Sequence, residues 1–125
     1  MARPASWIGE RKDMGNLLMQ SESKGDIVVV TVSGRIDSET APDFDAELVK
    51  ATGNSAKLVL ELKGVDYMSS AGLRAIVKAA QAVEPKGGSV KLAAAPELVS
   101  SVLYTVGLNQ KVSEYKSVDE AIASF

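Results

Sequence analysis

The stretch that decides the fold is Tyr67-Met68-Ser69-Ser70-Ala71-Gly72-Leu73-Arg74. It lies between an apolar segment at residues 57–62, typical of a buried strand, and an alanine-rich segment at residues 71–83 with the period of a helix. Either serine suits the N-cap of that helix, because a serine hydroxyl accepts a hydrogen bond from a free N–H group of the first turn. The octet therefore predicts a strand-to-helix junction that carries two hydroxyls.

Upstream of the octet the pattern indicates a hairpin and then a helix. Residues 17–23 and 27–32 read as two strands around a turn at Gly25, and Ser33-Gly34 is expected to end the second strand. A helix capped by Ser38 or Thr40 follows and continues through Thr52. The expected buried face of this helix consists of Ala41, Phe44, Leu48 and Val49.

Downstream, strands and helices continue to alternate. The strand at residues 57–62 is expected to end at Lys63-Gly64, and a further strand covers residues 89–94. Pro96 suits the first turn of a third helix that Gly107 ends, residues 112–115 form a short strand, and a capping box at residues 117–120 opens a last helix. This order predicts an α/β fold with one mixed β-sheet, an N-terminal antiparallel hairpin followed by crossover strands, packed with about four helices.

The length of 125 residues predicts one domain. Residues 1–16 have no sustained hydrophobic period and mix charges of both signs, so we interpret them as an N-terminal extension outside the fold. The domain is expected to span residues 17–125.

The composition excludes several classes of function. The chain has no cysteine and no histidine, which rules out thiolate zinc sites and Ser-His catalysis, so we predict a binding module without enzyme activity, metal or cofactor. A net charge of −2 lacks the basic footprint of a nucleic-acid-binding protein. No apolar run reaches the roughly 20 residues of a membrane span, and the start lacks the apolar stretch of a signal peptide, so we expect a cytoplasmic protein.

The octet resembles the signature of the STAS family, the anti-sigma factor antagonists and their relatives. That signature is an aromatic residue, a short apolar residue, Asp-Ser, a small residue and Gly-Leu. Residues 34–37, Gly-Arg-Ile-Asp, are similar to the family's Gly-x-apolar-Asp turn after the second strand, and residues 106–108, Val-Gly-Leu, are similar to its Gly-Leu near the end of the third helix. The resemblance covers residues 17–125 and implies the STAS fold.

The resemblance implies a switch between partners. An unmodified antagonist binds an anti-sigma factor that is also a serine kinase, and phosphorylation of the motif serine ends that binding; a protein serine phosphatase is the other implied partner. Aligned on Gly72, the acceptor falls on Ser70 and the family's turn aspartate on Asp37. A phosphate would bring about −1.5 to −2 charges to a surface that binds its partner with an uncharged serine, and Asp37 would add repulsion between its carboxylate and the phosphate. The implied partner-binding residues are Asp37, Met68, Ser69, Ser70, Ala71, Gly72 and Arg74.

The octet departs from the family at the residue before the acceptor. Ser69 stands where the family has aspartate, and Ala71 stands where it has serine or threonine. If the missing carboxylate helps a kinase or phosphatase, modification is slow, falls on Ser69 instead or does not occur, although Asp66 could substitute. The alternatives are that both serines only cap the helix and that the chain is a non-phosphorylated scaffold, or a subunit of a phospholipid ABC transporter or signalling complex.

Overall fold

The described part of the chain forms one six-stranded sheet with four helices packed against it. The computed structural model describes residues 10–13, 17–105, 107 and 112–125. The strands are β1 (Glu10–Asp13), β2 (Leu17–Lys24), β3 (Ile27–Ile36), β4 (Lys57–Met68), β5 (Ser89–Ala93) and β6 (Ser113–Tyr115). The helices are α1 (Ala41–Asn54), α2 (Ser70–Val83), α3 (Glu97–Thr105) and α4 (Val118–Ala123).

The strands lie side by side in the order of the sequence, from β1 to β6. The pairs β1–β2 and β2–β3 are antiparallel, whereas every pair from β3 to β6 is parallel. A parallel pair needs a crossover connection, and α1, α2 and α3 supply the three crossovers in turn. The prediction of a mixed sheet with an N-terminal hairpin, crossover strands and four helices is confirmed.

Apolar side chains pack on both faces of the sheet. On one face the core contains Phe44 of α1, Ile76 of α2 and Leu103 of α3. Alternate residues of a strand point to opposite faces, and Val29 of β3 packs in a second cluster with Ala121 of α4. The three crossover helices therefore cover one face, and α4 covers the other.

Strands β3 and β4 are longer than the sequence predicted. Ser33-Gly34 does not end β3, and Lys63-Gly64 does not end β4; instead the two strands pair on to their last residues with two register shifts. A Cβ on Gly64 would lie 2.5 Å from the Cβ of Ser33, so the glycine permits a close approach of the two strands. The glycine signals were misread as stops because glycine within a strand also marks irregular or crowded pairing.

The prediction that residues 1–16 lie outside the fold is wrong for residues 10–13. These residues form β1 and pair antiparallel with β2. The segment Glu-Arg-Lys-Asp has no apolar residue, so hydrophobic periodicity could not reveal it. Backbone hydrogen bonds suffice for an edge strand, and charged residues are common there because they discourage pairing with other chains.

Helix α1 follows the predicted pattern with one exception among its expected core residues. Phe44 and Leu48 of α1 are buried, but Val49 is 51% exposed, because it lies one residue beyond the apolar stripe. Gly107 has the left-handed backbone expected of a helix stop, with φ of 76°; its neighbours Val106 and Leu108 lie outside the described residues. Within the described ranges, no helix has both the length and the apolar character needed to cross a membrane.

Candidate functional site

The candidate site is the junction between β4 and α2, where the octet lies. Ser69 is the N-cap of α2, with an extended backbone, and its Oγ accepts a hydrogen bond from the backbone N–H of Gly72 at 3.3 Å. Its carbonyl oxygen accepts from the N–H of Leu73 at 3.1 Å. Ser70 is the first residue of the helix and is exposed. The two serines therefore have different surroundings, since one hydroxyl caps the helix and the other faces solvent.

The end of β3 anchors this junction. The backbone N–H of Ser69 donates a hydrogen bond to the carbonyl oxygen of Ile36 at 2.8 Å. A Cβ on Gly72 would lie 2.6 Å from Ile36 Cγ2 and 2.6 Å from Met68 Sδ, so only glycine fits here without movement of its neighbours. The glycine of the octet therefore lets the first turn of α2 pack directly on the two strand ends.

The turn after β3 is organised by Asp37. Its Oδ1 accepts hydrogen bonds from the backbone N–H groups of Glu39 at 2.9 Å and Thr40 at 3.0 Å, while its Oδ2 accepts from Arg35 Nε at 3.1 Å. The N–H of Thr40 is the largest cause that holds the pKa of Asp37 below its usual value; burial opposes this, and Glu39 and Arg35 add to the lowering. Asp37 is thus an ionised residue whose oxygens are used within its own turn.

Thr40 completes the turn and leads into α1. Its Oγ1 donates to the carbonyl oxygen of Arg35 at 2.7 Å and accepts from the N–H of Asp37 at 2.9 Å. The sequence offered Thr40 or Ser38 as the N-cap of the first helix, and Thr40 is at that position, although its side chain makes no capping bond to the helix. Its hydroxyl instead closes the turn that Asp37 holds.

Sequence reasoning missed one pair of residues beside the site. The guanidinium of Arg35 lies 4.3 Å from the centre of the Tyr67 ring, and the two residues are register partners across β3 and β4. Cation–π contact of this kind contributes about 0.5–1 kcal/mol at an exposed site. The pair could have been found by aligning β3 and β4 as parallel neighbours. That alignment requires both strands to continue to the motifs at their ends, beyond the glycines at which the sequence pattern predicted them to end.

The predicted partner-binding residues divide into a surface set and a buried set. Ser70 and Arg74 are exposed, while Ser69 and Ala71 are half-buried. Met68 and Gly72 are buried, so these two residues support the junction from below its surface. Asp37 follows Ile36 directly, and the hydrogen bond from Ser69 to Ile36 therefore brings the two sequence motifs together.

The start of α2 presents a hydroxyl in a first turn that carries no negative charge. Among the described residues, the hydroxyl of Ser70 has no hydrogen-bond partner, and the first turn of α2 contains no acidic residue. Backbone N–H groups and the positive end of the helix dipole favour a negative charge at such a position. The surface can therefore accept a phosphate on Ser70 at little electrostatic cost to the helix.

Comparison with known proteins agrees with this fold. The STAS domain model matches residues 19–121. The Anti-sigma-B factor antagonist of Bacillus subtilis (strain 168) is 38% identical over 65 residues, which is 52% of this chain and 60% of that protein. The aligned part thus spans less than two thirds of that relative.

Solved structures of anti-sigma factor antagonists share the fold. An anti-sigma factor antagonist from Mycobacterium paratuberculosis is 24% identical with a TM-score of 0.76, and the match covers 86% of this chain and 92% of the other. The anti-sigma factor antagonist SpoIIAA of Bacillus in its unphosphorylated form is 20% identical with a TM-score of 0.72, covering 83% and 92% of the two chains. A phosphorylated form of SpoIIAA also matches, with 19% identity, a TM-score of 0.67 and coverage of 85% and 97%. With its family model matched over residues 19–121, this chain belongs to the STAS domain family.

Proposed function

We propose that this protein is an anti-sigma factor antagonist that binds a serine-kinase anti-sigma factor and is released when Ser70 is phosphorylated. The observation that carries the proposal is the exposed hydroxyl of Ser70, without a hydrogen-bond partner among the described residues, at the first residue of α2. The name of the Bacillus subtilis relative and the two forms of SpoIIAA support it.

Ser70 is a better acceptor than Ser69 on local geometry. The hydroxyl of Ser69 is half-buried and engaged with Gly72, so its phosphorylation would remove the helix cap as well as add charge. Loss of a serine cap costs about 1 kcal/mol. The hydroxyl of Ser70 does not cap the helix, so it is free to enter the active site of a kinase.

Phosphorylation would change the charge of the docking surface. The kinase transfers the γ-phosphoryl group of ATP to the Oγ of Ser70, ADP leaves, and the hydroxyl proton is lost. The added group carries about −1.5 to −2 charges at neutral pH. Each ~1.4 kcal/mol of binding free energy lost through repulsion or desolvation weakens the complex about tenfold.

Asp37 serves this switch as an organiser of the turn. Its Oδ1 is used by the N–H groups of Glu39 and Thr40 and its Oδ2 by Arg35, so its charge is already compensated. The repulsion of a phosphate by Asp37, which the sequence suggested, is therefore a minor contribution. We assign Asp37 the task of fixing the end of β3, on which Ser69 is anchored.

The proposal gives the chain no catalytic role. The kinase is the anti-sigma factor, and a protein serine phosphatase returns the antagonist to its binding state. Because sigma factors act on RNA polymerase inside the cell, the proposal also assigns the protein to the cytoplasm. The absence of histidine and cysteine from the sequence agrees with a binding protein rather than a hydrolase or a metalloenzyme.

Peptide mass spectrometry of the protein purified from its native cells tests the proposal first. We expect a phosphate on Ser70 in the wild type, and none on the Ser70→Ala protein. In pull-downs with the cells' serine-kinase anti-sigma factors, Ser70→Ala should hold its partner permanently, whereas Ser70→Asp should bind at least about tenfold more weakly, a loss of ~1.4 kcal/mol.

The matched control is Ser69→Ala, which removes the cap and leaves the proposed acceptor. It should remain phosphorylated on Ser70 if it folds. A phosphate found only on Ser69 would move the acceptor to the capping residue. If neither serine is ever modified and Ser70→Asp binds as the wild type does, the switch is wrong and a non-phosphorylated scaffold or transporter subunit is the better description.

A further inference from the structure

Arg74 lies one helical turn after Ser70 on the same exposed side of α2. Residues spaced i and i+4 on a helix are neighbours, with their Cβ atoms about 6 Å apart. Both residues are exposed, and Arg74 has no ion pair within the described ranges of the chain. We propose that a phosphate on Ser70 is bound by Arg74 of the same helix, which makes Arg74 the phosphate-binding residue of the switch. This inference rests on the proposed phosphorylation of Ser70.

The other cations near the junction are already engaged. Arg35 is held by Asp37 Oδ2 at 3.1 Å and lies 4.3 Å from the centre of the Tyr67 ring. Lys78, a further turn along α2, has its Nζ 3.1 Å from Oδ2 of Asp45 on α1. Arg74 is therefore the cation of this helix face that is free to turn toward a new charge on Ser70.

The order of the two residues along the helix favours the pair. An acidic group that precedes a basic one by four residues makes a stronger pair than the reverse order. The first turn of α2 contains no acid that could compete for Arg74. The planar guanidinium presents two parallel N–H groups, which match two phosphate oxygens.

The pair would change what phosphorylation does to the docking surface. Before modification the surface presents a neutral hydroxyl and a free cation. Afterwards the cation is consumed in an internal ion pair, and the excess of about one half to one negative charge remains. The switch thus removes a positive group from the surface as well as adding a negative one.

The test is a phosphorus-31 NMR titration of the full chain with phosphoserine genetically encoded at position 70. At low salt, Arg74→Gln should raise the pH midpoint of the phosphate titration by about 0.2–0.4 pH units, because the dianion loses its cation. Arg35→Gln is the matched control and should leave the midpoint within about 0.1 pH units of the wild type, since that cation serves Asp37. The pH midpoint of the Arg74→Lys protein should lie between those of the wild type and Arg74→Gln.

A second readout is the side-chain Nε–H signal of Arg74, which should move when phosphoserine replaces serine and return toward its unmodified position in about 1 M salt. An unchanged midpoint in Arg74→Gln, or a larger change in Arg35→Gln than in Arg74→Gln, overturns the inference. Because the phosphoserine is installed without a kinase, these results do not depend on whether cells phosphorylate Ser70. The proposed function and the role of Arg74 can therefore fail separately.

Discussion

A serine caps the N-terminus of both α2 and α4, yet the two junctions are built differently. The Oγ of Ser69 accepts from the N–H of Gly72 at 3.3 Å, and the Oγ of Ser117 accepts from the N–H of Glu120 at 3.1 Å. The first turn of α4 contains Asp119 and Glu120, whereas the first turn of α2 contains no acid. A serine cap is therefore common to both; what distinguishes α2 is an exposed second hydroxyl in a turn without negative charge.

The two junctions also differ in how tightly they are packed. At the start of α2, Gly72 fits against Ile36 and Met68 with no room for a Cβ. The short helix α4 has only one buried residue among those described, Ala121, and it lies near the middle of the helix. The α2 junction is thus held by the core, while the start of α4 depends on local capping and charge.

The largest expected effect comes from Gly72→Ala. The new Cβ would lie 2.6 Å from Ile36 Cγ2, and such overpacking costs about 1–3 kcal/mol of the free energy of unfolding; after the ~1 kcal/mol that alanine gains in a helix, the net loss reaches about 2 kcal/mol. Gly53→Ala in α1 is the matched control, because its Cβ would meet no atom within 4 Å. Urea unfolding should show a loss for the first and a small gain or no change for the second. A Gly72→Ala protein as stable as the wild type would show that the junction has room to adjust.

The second prediction compares how far the loss of each serine cap destabilises the protein: the whole fold for α2, and only the helix itself for α4. Ser69→Ala and Ser117→Ala each remove one capping bond, worth about 1 kcal/mol. We expect Ser69→Ala to lower the free energy of global unfolding, because α2 packs in the main core through residues such as Ile76. Ser117→Ala should mainly speed hydrogen exchange within α4, since a helix of six residues can open locally. Equal global losses would contradict this division.

The start of α2 was more predictable than the strands that position it. A serine before an alanine-rich period suffices to place the N-cap, and the structure has the helix at Ser70–Val83. The pairing of Arg35 with Tyr67 could not be predicted, because it depends on β3 and β4 continuing past Gly34 and Gly64. A glycine in a strand looks the same in sequence whether it ends the strand or admits a close neighbour.

The same limit applies at the N-terminus and at the site itself. Strand β1 forms through backbone hydrogen bonds, and a run of four charged residues has no hydrophobic signal to show it. At the site, the sequence alone did not show which of Ser69 and Ser70 caps the helix. The hydrogen bond from the N–H of Gly72 to the Oγ of Ser69 identifies Ser69 as the cap and leaves the hydroxyl of Ser70 free. Burial of Met68 likewise depends on tertiary packing that the octet alone does not specify.

A third, smaller effect is the loss, at low pH, of the stability that Asp37 contributes in the turn that anchors α2. The pKa of Asp37 is held below the ordinary value of 3.8, chiefly by the N–H of Thr40, so its folded form binds a proton less readily than its unfolded form. Its contribution to stability is therefore complete above that ordinary value and is lost as the pH falls through the folded pKa. Urea unfolding at a series of pH values should show the gap between wild type and Asp37→Asn closing in acid. A gap that stays constant would mean that Asp37 titrates alike in both states.

The smallest expected effect is the change in the free energy of unfolding when a charge is added to the first turn of α2 or removed from the first turn of α4. Ser70→Asp adds an acid to the first turn of α2, where none is present, and should raise the free energy of unfolding by about 0.3–1 kcal/mol through the helix dipole. Asp119→Asn removes an acid from the first turn of α4 and should lower stability by at most a similar amount. Both changes should shrink in about 1 M salt, because exposed charges are screened over roughly 3 Å there. If Ser70→Asp instead destabilises the protein at every salt concentration, the first turn of α2 does not accept negative charge, and a phosphate there would strain the helix as well as disrupt binding.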